Sequence, residues 1–225
     1  MKKEFYKTYW ENQPEPKHSM AGDAGYENYA DELNIILKFL NYNGGPVFEA
    51  GCGDGGMYPF LNIDHSNYKA KDLSKVMVDK FKKNHPSAVV EYGDGSVIPT
   101  GQQGYGLIFG YTVHHNFDRN MLSEHIKQAS EVLQKGGILL IGGQPLKQMK
   151  YAYYSGLLTG TKDYSLRLRL YGLLSLLNIT NGVRIMGHWH KLTWLKKQAK
   201  KNGLEYRAFG SVCYPYRFNI ALQKK

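Results

Sequence analysis

The apolar positions of this chain change period several times between residues 26 and 145. Tyr26, Ala30, Leu33, Leu37 and Leu40 recur at helical spacing and share one face. Asn43-Gly44-Gly45-Pro46 stops that helix. A short apolar run, Val47–Ala50, predicts a buried strand, and further strands are predicted at Tyr68–Asp72 and at residues 88–92, 106–111 and 138–142. Val78 and Phe81 mark a helix that Ser74 caps. Leu122, Ile126, Ala129 and Leu133 mark the inward face of another, capped by Asp118 and ended by Lys135-Gly136-Gly137 as a glycine C-cap would end it. A last helix over Leu192–Lys201 closes at Gly203. Two strands follow, near residues 205–212 and 217–223, joined hairpin-fashion by Tyr214-Pro215-Tyr216. Helices alternating with strands argue an α/β fold, a parallel sheet with covering helices.

Residues 146–186 break this rhythm. Leu166, Leu170, Leu173, Leu174 and Leu177 share a helical face with Lys162, Arg167 and Arg169 among them, and Tyr151, Tyr154 and Leu158 suggest a shorter helix before it. The segment reads as a helical cap inserted after the fifth strand. A single domain spanning 1–225 is expected, with residues 1–25 as a polar N-terminal segment.

Composition narrows the class. The 225 residues are 42% hydrophobic and 21% charged, which is globular rather than disordered and long enough to bury a core. The opening MKKEFYKTYWENQ is too polar for a signal peptide, and no apolar run approaches the roughly 20 residues that span a bilayer. A cytoplasmic protein is expected. Two cysteines, Cys52 and Cys213, and eight histidines without metal-ligand spacing predict neither a disulfide framework nor a metal site. The net charge of +10 admits an anionic partner, or simply a basic solvated surface.

The chemistry concentrates at strand ends. Glu49-Ala50-Gly51-Cys52-Gly53-Asp54-Gly55 places glycines directly after a buried strand, where positive φ and close approach of a ligand to the backbone are needed. Open α/β sheets bind ligands at that end of their strands. Asp72 follows nineteen positions after Gly53, at the end of the second strand, where a carboxylate can hold the two hydroxyls of a ribose. Asp94, in Tyr92-Gly93-Asp94-Gly95, stands after the third strand and can accept from an adenine amino group; as an isolated feature it is an ordinary Asp-Gly turn.

Taken together, the glycine loop and the two acids in this order resemble the class I S-adenosylmethionine-dependent methyltransferases, and most closely the small-molecule branch of ubiquinone/menaquinone methyltransferases. The resemblance covers residues 26–145 and 188–223, including YGLIFGYTVHHNFD and EVLQKGGILLIGG. It implies a Rossmann-like, seven-stranded, mostly parallel sheet with an antiparallel last strand, helices on both faces and the helical cap. It implies S-adenosylmethionine as cofactor and S-adenosylhomocysteine as product. The implied contacts are Glu49, Ala50, Gly51, Cys52 and Gly53 around the methionine part, Asp72 and Leu73 at the ribose, and Asp94 and Gly95 at the adenine. Gly110 and Tyr111 would approach from strand four, and Tyr9 and Trp10 from an N-terminal lid (residues 1–25). Two positions depart from the family. Tyr105-Gly106 stands where strand four usually opens with Asp, and Pro59 is expected to shorten the helix after the glycine loop.

The expected reaction is in-line transfer of a methyl group to oxygen, nitrogen or carbon of a small acceptor, driven mainly by positioning. His115 and His114 are the candidate bases if the acceptor is a hydroxyl, and Tyr151, Tyr154 and His188 are candidates to line the acceptor pocket. The cap then covers an apolar or aromatic acceptor, rests on an anionic membrane, or packs on the sheet or a second subunit. Three other readings compete. An NAD(P)-dependent oxidoreductase wants GxGxxG rather than GxGxG. A base-modifying methyltransferase wants a (D/N/S)PP(Y/F) motif or a placed cysteine, which leaves an RNA ribose methyltransferase as the nucleic-acid option. A non-catalytic cofactor-binding module would bind without turnover. A nucleic-acid partner is disfavoured overall.

Overall fold

The computed structural model describes residue 8 and residues 25–101, 104–155, 157–158, 169–170, 172–174 and 187–225. The expected lid with Tyr9 and Trp10, and most of the expected cap, lie outside the described residues.

The first periodic segment forms helix α1 (Tyr26–Phe39), burying Tyr29, Ala30, Leu33, Ile36 and Leu37 on one face. The next elements are strand β1 (Val47–Ala50), buried throughout, β2 (Tyr68–Asp72), helix α2 (Lys75–Asn84) and β3 (Val89–Tyr92). Ser74 caps α2, its side chain accepting from the Met77 amide. Strand β4 (Tyr105–Tyr111) is buried throughout, and α3 (Arg119–Val132) opens on Asp118, which accepts from the amides of Asn120 and Met121. Then come β5 (Leu133–Pro145), the short helix α4 (Lys150–Tyr154), α5 (Leu192–Lys201) and the strands β6 (Leu204–Gly210) and β7 (Arg217–Lys224).

The strands form one seven-stranded sheet in the order β3-β2-β1-β4-β5-β7-β6. Pairing is parallel from β3 through β5, and β7 runs antiparallel to both neighbours. A core lies on each face: α1 and α2 close one through Leu33, Leu37, Val78 and Phe81, and α3 and α5 close the other through Leu122, Ile126, Leu195 and Ala199. The fold is the expected Rossmann-like arrangement.

Three local expectations are corrected. Helix α3 ends at Val132, before the glycines: Leu133 is extended and pairs with Tyr105, and Gly136 (φ +77°) lies inside β5. Strand three begins at Val89, one residue later than expected. After the glycine loop there is a single 3-10 turn, Tyr58–Phe60, with Pro59 in its first turn; proline suits that position but cannot donate to a continuing helix. The unusual opening of β4 also has a cause. A side-chain carbon at Gly106 would stand 2.0 Å from the Gly44 carbonyl oxygen, so no Asp fits there.

Candidate active site

The carboxyl ends of β1, β2, β3 and β4 meet on one rim. The loop after β1 is built from left-handed glycines, Gly51 (φ +69°), Gly53 (φ +57°) and Gly55 (φ +79°). It is tied down on three sides. The Gly51 amide donates to the Lys71 carbonyl (2.8 Å). The Gly53 amide donates to Asp72 Oδ2 (2.9 Å). The Tyr26 hydroxyl, at the start of α1, donates to Asp54 Oδ1 (2.7 Å). A side chain at Gly51 would strike Val113, and one at Gly55 would strike the Phe81 ring, whereas Gly53 faces open space.

Asp72 is half-buried and spans two loops, with Oδ1 accepting from the Ser74 amide (2.8 Å). Desolvation raises its pKa despite the two amide bonds. Glu49 is buried with its carboxylate on the Tyr68 hydroxyl, and burial lifts its pKa to about 7. Ala50 and Cys52 are buried behind the loop and Leu73 is half-buried beside Asp72. Asp94 is half-buried and orders its own turn, accepting from the Ser96 amide (2.9 Å) and hydroxyl (2.7 Å). Gly95 lies against the loop: a side-chain carbon there would approach the Gly51 nitrogen to 2.9 Å. Gly110 fits equally tightly, 2.6 Å from the Ala50 carbonyl oxygen by the same construction. The three strand ends singled out in the sequence therefore converge.

Tyr111 turns away from the loop. Its hydroxyl donates to Glu32 Oε2 (2.9 Å) and its ring stacks on Tyr29 at 4.9 Å. Glu32 is a buried carboxylate on α1 that also accepts from Asn219 Nδ2 (2.9 Å), the Val212 amide (2.5 Å) and the Ser211 hydroxyl (3.2 Å). Sequence reasoning missed it because its partners come from β4, β7 and the connection before β7. A charged residue inside the periodic face of α1 was the only signal.

The two histidines after β4 separate. His114 is fully buried against Phe117 and His125, its Nε2 3.4 Å from His125 Nε2. His125 Nδ1 in turn donates to the Ser96 carbonyl (2.9 Å), which ties the Asp94 turn to the core. Burial holds both rings well below the usual histidine range, His125 at about 4. His115 lies on the other side, and its carbonyl accepts from the His188 amide (2.6 Å). Burial and then the nearby Arg217 push its pKa well down. His188 leads on to a polar and aromatic group: Gln144 Nε2 donates to the His188 carbonyl (3.1 Å), Trp189 packs on Tyr216, and Arg217 lies over Tyr216. Tyr153 bridges Trp189 (5.6 Å) and Tyr216 (4.6 Å), and Tyr154 packs on Tyr153 and Trp189. Tyr151 packs beside Gly172 of the cap, whose Leu170 and Leu173 are exposed.

Among the described residues, four buried polar atoms of this group lack a hydrogen-bond partner: His115 Nδ1, Gln144 Oε1, Trp189 Nε1 and Tyr216 Oη. Each such group costs about 1–3 kcal/mol when left unmet. A separate cavity of about 280 Å³, lined by residues that include Asn41, Asn43, Gly136 and Gln223, lies at the opposite rim and holds none of these side chains.

The family model described as "Methyltransferase domain" matches residues 47–137, from β1 into β5. Residues 47–137 thus match a methyltransferase domain, set on the seven-stranded sheet described above. Solved methyltransferases share its fold. The magnesium protoporphyrin IX methyltransferase ChlM of Synechocystis PCC 6803, solved with bound S-adenosylhomocysteine, is 15% identical with a TM-score of 0.66, covering 100% of both chains. An S-adenosylmethionine-dependent methyltransferase of Clostridium acetobutylicum ATCC 824 is 14% identical with a TM-score of 0.64, covering 98% of each. DesVI of Streptomyces venezuelae is 13% identical with a TM-score of 0.63, covering 92% of this chain and 95% of that one. These identities establish the shared methyltransferase fold and do not single out the quinone branch. No curated protein matches the chain in sequence.

Proposed function

We propose that this methyltransferase binds S-adenosylmethionine along the rim formed by Glu49–Gly55, Asp72 and Asp94-Gly95, and transfers its methyl group to a small-molecule acceptor held at the His115 side. The observation that carries this reading is the convergence of the three strand ends: Asp72 bonds the Gly53 amide, and Gly95 packs on Gly51. The donor set suits the cofactor. The Asp72 carboxylate would take the ribose hydroxyls beside Leu73, Asp94 the adenine amino group, and Glu49 with the loop from Ala50 to Gly53 the methionine part. Gly110 brings the β4 backbone close to the loop, whereas Tyr111, turned to Glu32 and Tyr29, is left out of the cofactor contacts. When bound, the cofactor supplies an electrophilic methyl group on a sulfonium. What the protein adds is alignment, which by itself can contribute about 7–11 kcal/mol.

The acceptor would lie between β4, β5 and the cap, against His115, His188, Tyr154 and Trp189, with Tyr151 set further back on the cap. This lining favours an apolar or aromatic small molecule over nucleic acid. The Synechocystis protein named above is a magnesium protoporphyrin IX methyltransferase, which agrees with a small-molecule acceptor. His114 serves the fold, because it is buried between Phe117 and His125 with its Nε2 set against His125.

Titration calorimetry with S-adenosylhomocysteine tests the reading. The wild type is expected to bind, and Asp72→Ala to lose at least roughly a hundredfold in affinity, the worth of charged hydrogen bonds to two hydroxyls. Equal affinity in both would refute the assigned site.

A further inference from the structure

The sheet edge at β6 has chemistry that the cofactor rim does not use. Among the described residues, β6 ends the sheet and pairs with β7 alone. It keeps that pairing over seven residues without a bulge, and it contains neither proline nor lysine, the usual guards of an open edge. The other edge, β3, is only four residues long. The Ser211 amide donates to the Arg217 carbonyl (3.2 Å), which extends the β6–β7 register by one pair. Main-chain groups alternate in direction along a strand, so Glu205, Arg207 and Phe209 also turn theirs to β7. Leu204, Tyr206, Ala208 and Gly210 turn theirs outward, where no main-chain partner stands among the described residues. On the α1 face of the sheet, Phe209 packs edge-on against Phe39 (5.5 Å), and the Arg207 guanidinium lies over the same ring (5.8 Å). Phe39 is 61% exposed, and Ile35, one turn earlier on α1, is 69% exposed. An open row of hydrogen-bonding groups therefore runs beside an apolar shoulder.

We propose that β6 is a homodimer interface: two copies of the chain pair antiparallel along this edge, about a two-fold axis at Tyr206, and join their sheets into one. The partner is a second copy because the strand complements itself. Antiparallel pairing of identical edges needs a two-fold axis perpendicular to the sheet. That axis keeps the α1 faces of both copies on one side, so odd-numbered residues oppose odd-numbered ones. A register centred on Glu205 sets two carboxylates face to face, and one centred on Arg207 does the same with two guanidinium groups; like charges directly opposite repel. The register centred on Tyr206 sets Glu205 against the partner's Arg207, and Arg207 against the partner's Glu205. These are non-hydrogen-bonded pairs of the new ladder, in which Cα atoms approach to about 4.5 Å and side chains lie closest. Within one copy Arg207 already meets Glu205 at 3.0 Å, so the four groups alternate in sign around the axis. Exposed ion pairs hold little by themselves. Here they select the register, while the outward groups of Leu204, Tyr206 and Ala208 exchange main-chain hydrogen bonds and the two Phe39 shoulders border the joint.

Sedimentation of the full chain over a range of concentrations tests this. The wild type is expected to form a dimer that dissociates on dilution. Arg207→Glu opposes carboxylates across the axis and should raise the dimer dissociation constant by about tenfold or more, and adding Glu205→Arg should restore it. Ala208 is exposed and its amide points outward, so Ala208→Pro removes a donor from the joint and none from the β7 ladder. That variant should be monomeric. Cooperative thermal unfolding of each variant guards against misfolding, and if Ala208→Pro does not fold, the charge reversal and its rescue decide the matter. A wild type that stays monomeric, a dimer left unweakened by Arg207→Glu or by a folded Ala208→Pro, or a doubly reversed variant that stays monomeric overturns the proposal.

Discussion

At the scale of single residues, the carboxylates at the rim are set apart by their surroundings. Asp72 is held by two backbone amides, and Glu49 by one phenol inside the core. With its pKa lifted to about 7, Glu49 is divided between neutral and ionised forms near neutrality. If it meets the cofactor's ammonium group, only the ionised form attracts it. Affinity for S-adenosylhomocysteine should then rise as pH passes from about 6 to 8, and Glu49→Gln should flatten that rise. Calorimetry across the range would decide it. A rise of the same size in Glu49→Gln would assign the dependence to another group. The loop and the two Asp positions were legible in the sequence because they follow strands at recognisable spacing. The environment of Glu49 was not, since Tyr68 lies nineteen positions away and reaches it only through the sheet.

At the scale of elements, the short parallel strands were read well, whereas β5 (Leu133–Pro145) extends beyond the expected residues 138–142 at both ends. Buried runs bounded by glycine, proline and asparagine leave few registers open, and β1, β2 and α5 fall where the periodicity put them. The end of α3 was misjudged because glycine after a helix usually marks its cap. Here Leu133 leaves the helix to pair with Tyr105, and the glycines serve the entry to β5. Glu32 shows what periodicity cannot reveal. It joins α1 to Tyr111 of β4, Asn219 of β7 and the backbone before β7. Removing the carboxylate strands several buried donors. Glu32→Ala should lower unfolding free energy by about 2–5 kcal/mol in denaturant titrations. A loss within about 0.5 kcal/mol, typical of surface sites, would contradict a structural role for this hub.

At the scale of the whole molecule, the buried histidines make folding sensitive to acid. His125 and His190 titrate near about 4 in the folded chain, and His114 and His115 are also well below their ordinary range. Unfolded histidine titrates near about 6.5, so the unfolded chain binds more protons between those values. Their contribution is complete above about 6.5 and is lost as pH falls toward about 4. Glu49 and Asp72, both raised, act in the opposite sense, but two carboxyls oppose four histidines. Unfolding free energy should therefore fall on acidification over that window, and His125→Gln should reduce the slope even where it lowers stability. A slope that rises with acid would contradict the buried, neutral assignment. No described helix is long and apolar enough to cross a membrane.

At the same scale, one rim built by three strand ends is assigned to the nucleoside of S-adenosylmethionine. A crystal structure of the chain with S-adenosylhomocysteine tests it most directly. The ribose hydroxyls are expected on the Asp72 carboxylate, the adenine edge at Asp94 and the amino acid part over Gly51 and Gly53. A ligand seated elsewhere, or a ribose with no contact to Asp72, would contradict it.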